Sequence, residues 1–276
     1  MSVESSGAFC HKKYKSFLPK SLFDTLNRLS IDPHRVCTRL VVCNPKDPHF
    51  KTGYYHYDGH RSQKLAGIHA TLQRQFYPWT KNKKSATLRA TGTSGSLAAG
   101  SAVMRELYHF VHSESDVVGD RMKALLRDMK ARDMLPVACE VTIRDKHTNV
   151  GSAIDMLFLR REGDKWLLCL GEIKCGYEYM HKETGVYLRD VHKKMGDERI
   201  PFNGFSAASL QGQWYASILK EFYNVTVDEV YVVRISRPDP DKEFYTTDFV
   251  PVHEAIRKVA LSPLVRLCMK VSKKRK

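Results

Sequence analysis

Two acids and a lysine, Asp155, Glu172 and Lys174, stand where a single β-hairpin would bring them together. Gly151–Arg160 and Trp166–Lys174 are apolar, β-prone runs on either side of the polar stretch Arg161-Glu-Gly-Asp-Lys165, a strand, turn and strand signal. With the turn centred near Gly163, residue numbers across the ladder sum to about 327, and Asp155 faces Glu172. Facing residues of an antiparallel pair have Cβ atoms about 4.5–5.5 Å apart and point to one side of the sheet. Lys174 shares that side with Glu172, because side chains alternate along a strand. Like charges so placed repel, and two acids within apolar strands need a counter-charge. Mg²⁺ or Mn²⁺ supplies one, since a hard cation is commonly held by one or two carboxylates together with phosphate oxygens. A lysine ammonium beside it orients or deprotonates an attacking water and steadies charge building on phosphate. The chemistry implied is hydrolysis of a phosphodiester.

An acid-x-Lys triplet alone carries little weight. Asp128-Met-Lys130 is a second one, in a charged, helix-prone stretch with no partner strand. The hairpin and its apolar surroundings distinguish the first triplet, because charged residues are seldom buried without partners. Cys175 follows Lys174 directly, but no activating histidine is placed beside it, and a buried thiol is the ordinary state of such a residue.

At these residues the chain resembles the PD-(D/E)xK nuclease superfamily, in its RecB-like and lambda-exonuclease-like branch. Gly151, Asp155, Glu172, Lys174 and Gly176 match the pattern of a Gly-x-x-x-Asp strand, a hairpin, and an acid-x-Lys strand ending in a small residue. Gln211 and Tyr215 match that branch's Gln-x-x-x-Tyr helix. They lie one helical turn apart, where an amide and a phenol can together touch DNA or order the site. The resemblance implies Asp155 and Glu172 as metal ligands, the Ile173 carbonyl as a third, and Lys174 as the water-activating group. It departs at the preceding helix, which has Gly100 but Met104 where the family's histidine falls. Lambda-exonuclease-like members use a glutamate there, so Glu106, two positions out of register, is either a ligand or a solvated side chain. His109 and His112 are spare candidates. Glu140, in the strand-like run Pro136–Arg144, either supports the metal or a DNA contact or points outward at an edge.

Composition allows this reading. A chain of 276 residues with 42 % hydrophobic content buries a full core, and it has no apolar run long enough to span a membrane. The opening residues lack the charged and apolar regions of a secretory signal. Seven cysteines, an odd set with no Cys-x-x-Cys pair, suit an intracellular, reducing compartment and argue against an iron–sulfur cluster. The net charge of +15 suits a polyanionic partner, whose counterions are released on binding. Lys81-Asn-Lys-Lys84 among Phe76, Tyr77 and Trp79 is a basic, aromatic stretch able to stack on unpaired bases or to form a core turn with a solvated rim. The tail, Lys270–Lys276, is a cluster of the kind used for nuclear import or nucleic-acid contact.

The expected architecture is α/β: a restriction-endonuclease-like core over residues 90–276, with a mixed central sheet flanked by helices, preceded by a mostly helical, basic region over 1–89. Helices are expected over 62–77, 97–112, 117–132, around Gln211 and over 251–269, with strands between 137 and 174 and at Glu229–Ser236. Residues 36–60 read as loop-rich or strand-like, and 177–205 as a polar loop. The expected activity is Mg²⁺- or Mn²⁺-dependent cleavage of single- or double-stranded DNA, exonucleolytic as the resemblance implies. An endonuclease of the same fold, a nuclease acting on RNA, and a basic nucleic-acid-binding scaffold without the chemistry are the rivals.

Overall fold

The computed structural model describes residues 3–4, 18–21, 23–24, 38–44, 47–58, 61–77, 94–112, 118–175, 187–188, 199–236, 245–259, 261 and 263–266. For 3–4, 38–64, 94–98 and 112 it describes backbone alone. Gly176, the basic stretch 81–84, most of the polar segment after β8 and the C-terminal tail lie outside the described residues.

The described residues form two sheets. Strands β1 (Val3–Glu4), β2 (Thr38–Asn44), β3 (Asp47–Asp58) and β4 (Arg61–Lys64) form an antiparallel four-stranded sheet in chain order. Residues 36–60, which read as loop-rich or strand-like, are strand over 38–44 and 47–58, so the region 1–89 carries β-structure beside the helix expected of it. The reason is legible in β3, whose Tyr54-Tyr-His-Tyr57 run is rich in residues that favour a pleated surface. The helix expected from residue 62 begins only at α1 (Ile68–Gln75), because Arg61–Lys64 pair with β3 and β5 (Ala66–Gly67) pairs with the larger sheet.

That larger sheet is mixed and has six strands. It contains β5, β6 (Met134–Asp145), β7 (Val150–Glu162), β8 (Lys165–Cys175), β9 (Glu229–Ser236) and β10 (Thr246–Pro251). Helices α2 (Ser94–His112) and α3 (Asp120–Lys130) lie between β5 and β6 in the chain. Helix α4 (Gly204–Tyr223) connects β8 to β9, which run parallel, and the four-residue α5 (Glu254–Arg257) follows β10. Among the described residues no helix is long and apolar enough to cross a membrane.

The β7–β8 hairpin has the expected register, pairing Met156 with Gly171 and Glu162 with Lys165. Its loop is the dipeptide Gly163-Asp164, and Gly163 takes φ 59°, a left-handed conformation that glycine adopts without a Cβ clash. Because helices cover both faces, β7 to β9 are buried on both sides and read as near-continuous apolar runs. On one face Leu157, Leu159, Leu168, Leu170, Val230 and Val232 pack against α4 and α1 through Trp214, Ile218, Ile68 and Leu72. On the other, Phe158, Cys169, Ile173, Tyr231 and Val233 pack with α2 and α3 through Val103, Leu107, Met122 and Leu125.

Helix α4 is held closely to the first face. The Asn203 side chain accepts the Ser206 N–H at its N-terminus, and Asn224 closes it in a left-handed conformation. Midway, Gly212 lets the helix descend onto the sheet: a Cβ there would lie 2.8 Å from Val230 Cγ1 and 4.0 Å from Glu172 Cβ. Gly212→Ala would gain about 1 kcal/mol of helix propensity but suffer an overpacking cost of about 1–3 kcal/mol against a stiff β-branched neighbour. The expected result is a lower thermal unfolding midpoint for Gly212→Ala, part of which Gly212→Ala/Val230→Ala recovers; a midpoint equal to wild type in the single variant would refute the close approach.

Candidate active site

The pairing of β7 with β8 stops at Met156 and Gly171, so the next facing pair, Asp155 and Glu172, stands where the strands part. From there β8 continues beside β9, through Lys174 opposite Arg234. The N-terminal half of β7 stays with β6 on one edge. Its other edge, vacated by β8, is taken up at Val150 and Gly151 by β5. Residues 152–155 thus line a fork between β5 and β8.

At the fork the Asp155 carboxylate does the work of a strand. Its Oδ2 accepts the Ile173 N–H at 2.8 Å, in place of a backbone carbonyl. The N–H and C=O of one residue leave a strand on the same edge, so the Ile173 carbonyl also faces the fork. Glu172 is 1 % exposed, and its Oε1 accepts the Lys174 ammonium at 2.5 Å. Its second oxygen, Oε2, is buried with no hydrogen-bond partner.

Burial and charge act together on this pair. Glu172 is pushed up to about 8, first by burial and then by the Asp155 charge, with Glu140 adding to it and Lys174 opposing. Asp155 keeps some solvent contact at the fork, yet burial raises it as well, against the Lys174 charge and the Ile173 N–H. One ammonium does not offset two enclosed carboxylates. An orphaned, buried carboxylate oxygen beside a second acid is what a hard divalent cation satisfies, so these residues fit Mg²⁺ or Mn²⁺.

Glu140 stands on β6, the strand that pairs with β7 beside this pair. Cys139 pairs with Met156 and Val141 with Ile154, which sets Glu140 level with Asp155 on β7. Glu140 has φ 51°, a left-handed conformation that costs a non-glycine residue about 1–3 kcal/mol. Both strands change face at this level. Ala138 and Val141 lie in one core with Cys139 between them in the other, and Ile154 and Leu157 likewise flank Met156. The Glu140 charge is one of the contributions that raise Glu172 and Cys139.

Gln211 and Tyr215 meet as their spacing predicts. Gln211 Nε2 donates to the Tyr215 hydroxyl at 2.6 Å. The buried phenol is also hydrogen-bonded to Ser152 Oγ at 2.9 Å, and burial, then the charges of Glu172 and Asp155, push it well above its ordinary value. Ser152 is the site residue that sequence reasoning misses; its partner lies 63 residues away, and nothing local marks it. Behind it, Asp145 accepts the N–H groups of His147 and Thr148 and the Trp214 indole, pinning the β6–β7 turn to α4.

Glu106 is not brought to the pair. Its Oε2 accepts the Gly119 N–H at 2.8 Å, tying α2 to the entry of α3. Among the described residues no three His, Cys, Asp or Glu side chains converge on one point. A cation at the fork would be held by Asp155, Glu172 and backbone. Met104 packs against the second core, and His109 is exposed beside Tyr108. No protein-family model and no curated protein matches the chain.

An acid whose value is higher folded than unfolded binds more protons in the folded state between the two values, so unfolding free energy falls as pH rises across that window. For Glu172 the window runs from 4.5 to about 8: its contribution is complete below and lost above. In chelator, the wild-type melting midpoint is therefore expected to fall between about pH 5 and pH 9, with Glu172→Gln flatter over the same range. Parallel pH slopes for the two proteins, followed by circular dichroism, would remove Glu172 as the source.

Proposed function

We propose that this chain is a divalent-metal-dependent deoxyribonuclease with a restriction-endonuclease-like core, acting as an exonuclease. The observation that carries the proposal is the unpartnered, buried Oε2 of Glu172 beside Asp155 at the mouth of a strand fork, with Lys174 bonded to the same carboxylate. The order of elements supports it: an antiparallel hairpin bearing both acids, a helix with Gln211 and Tyr215, and a strand parallel to β8. The +15 charge adds affinity for a polyanion.

Asp155, Glu172 and the Ile173 carbonyl are the groups that would hold the cation. Bound Mg²⁺ or Mn²⁺ would supply Lewis acidity toward a phosphate oxygen and relieve the repulsion between the carboxylates. Lys174, partly exposed at the fork, holds the attacking water and steadies the charge that grows on the phosphate. Gln211 lies partly exposed above the phenol it binds, where its amide meets the nucleic-acid strand.

A second reading, a binding scaffold of the same fold without catalysis, draws support from Met104, a packed apolar residue at the family's histidine position. One assay separates these readings. Linear duplex, single-stranded DNA, RNA and a covalently closed circle are incubated with Mg²⁺, Mn²⁺ or chelator. Linear DNA is expected to be degraded only with metal, and the circle spared. Asp155→Ala and Lys174→Ala are expected to slow cleavage by at least about a hundredfold with DNA affinity little changed. A cut circle reassigns the enzyme as an endonuclease, and wild-type rates in both variants would end the assignment.

A further inference from the structure

Helix α4 touches both arms of the fork, at two positions three residues apart on one face. Gly212 lies against the β8 arm and its neighbour β9: a Cβ there would stand 3.6 Å from Leu170 Cδ2 and 4.0 Å from Glu172 Cβ on β8, and 2.8 Å from Val230 Cγ1 on β9. Tyr215 reaches the other arm, its hydroxyl 2.9 Å from Ser152 Oγ on β7, three residues before Asp155. Among the described residues no strand holds that edge of β7 between Met156 and Gly151, since β8 has left it and β5 pairs at Val150 and Gly151. The Asp155 bond to Ile173 N–H is therefore reinforced by one further polar link across the gap, through the helix. That link is itself held in place: Tyr215 is 1 % exposed, Ser152 is 9 % exposed, and Gln211 fixes the phenol from the solvent side at 2.6 Å.

We propose that the Ser152–Tyr215 hydrogen bond is a strut that sets the separation of the Asp155 and Glu172 carboxylates, with Ser152 as a positioning residue for the cation they hold. The proposal rests on reading the fork as a metal centre. A two-carboxylate centre has few ligands, so its affinity depends steeply on the gap between them, and groups that orient ligands without touching the metal typically alter affinity 10–100-fold. The hydroxyl of Tyr215 acts on the β7 arm and Gly212 on the β8 arm, so a change in either oxygen of the strut moves one acid relative to the other.

The test is calorimetric titration of Mn²⁺ into the full chain, which reads the centre without turnover. Ser152→Ala and Tyr215→Phe are each expected to weaken binding about tenfold, and the double variant no further than either alone. Ser152→Thr, which restores a hydroxyl, is expected to bind as wild type. A merely structural role would lower the melting midpoint in chelator and leave Mn²⁺ affinity unchanged; wild-type affinity in Tyr215→Phe overturns the strut and leaves the metal centre standing. Wild-type protein that binds no Mn²⁺, or binds it equally with Glu172→Gln, overturns the metal centre and the strut together. Should Ser152→Ala not fold, Tyr215→Phe, which removes a single oxygen, decides the matter.

Discussion

Two carboxylates enclosed by protein on neighbouring strands repel each other and have lost most of their water, a combination that a fold tolerates only with compensating contacts. Asp155 and Glu172 are such a pair. One oxygen of Asp155 is tied to the Ile173 N–H and one of Glu172 to Lys174, yet Glu172 keeps an oxygen without a partner. Much of the surrounding architecture follows from that arrangement. The ladder between β7 and β8 ends there, because a side chain has taken over an acceptor position that the backbone would otherwise fill. The helix behind it carries a glycine so that it can come close, and a phenol that bridges to the opposite arm.

The net charge of the chain does not solve this local problem. A surplus of surface lysine and arginine acts through water and is screened over about 10 Å at ordinary salt, whereas the acids interact through protein. Only a charge inside the fork neutralises them. Surface basicity and buried acidity are thus separate matters: one acts at long range through water, the other calls for a counter-charge within the fork.

The part of this site legible in the sequence is the part that depends on short-range geometry. The hairpin register followed from a polar turn around Gly163, with apolar residues fixing which side chains face inward. Gln211 and Tyr215 were legible because a helix places residues four apart in contact. Glu229–Ser236 has the bounds its β-branched residues suggested. What remained hidden depends on distant partners. The fork exists because β5, more than 80 residues earlier, occupies the edge that β8 leaves, and no local pattern announces a two-residue parallel strand. Ser152 acquires its role from a tyrosine on a later helix, and Glu140 its left-handed backbone from a matched bend in two strands. Glu106 likewise takes its partner, the Gly119 N–H, from the start of the following helix, 13 residues on.

Strand β5 has an implication for how the molecule protects itself. Ala66 and Gly67 occupy an edge of β7 that would otherwise display unpaired backbone groups, and α1 begins at the next residue with Ile68, Leu72 and Phe76 sunk in the same core as Trp214. An open edge of that kind is a template for a strand from another molecule. The short segment from Ala66 to Phe76 thus guards that edge at Val150 and Gly151, where a strand from another chain would otherwise find unpaired groups. A shortened protein beginning after it would offer neighbouring copies a seam along which to aggregate.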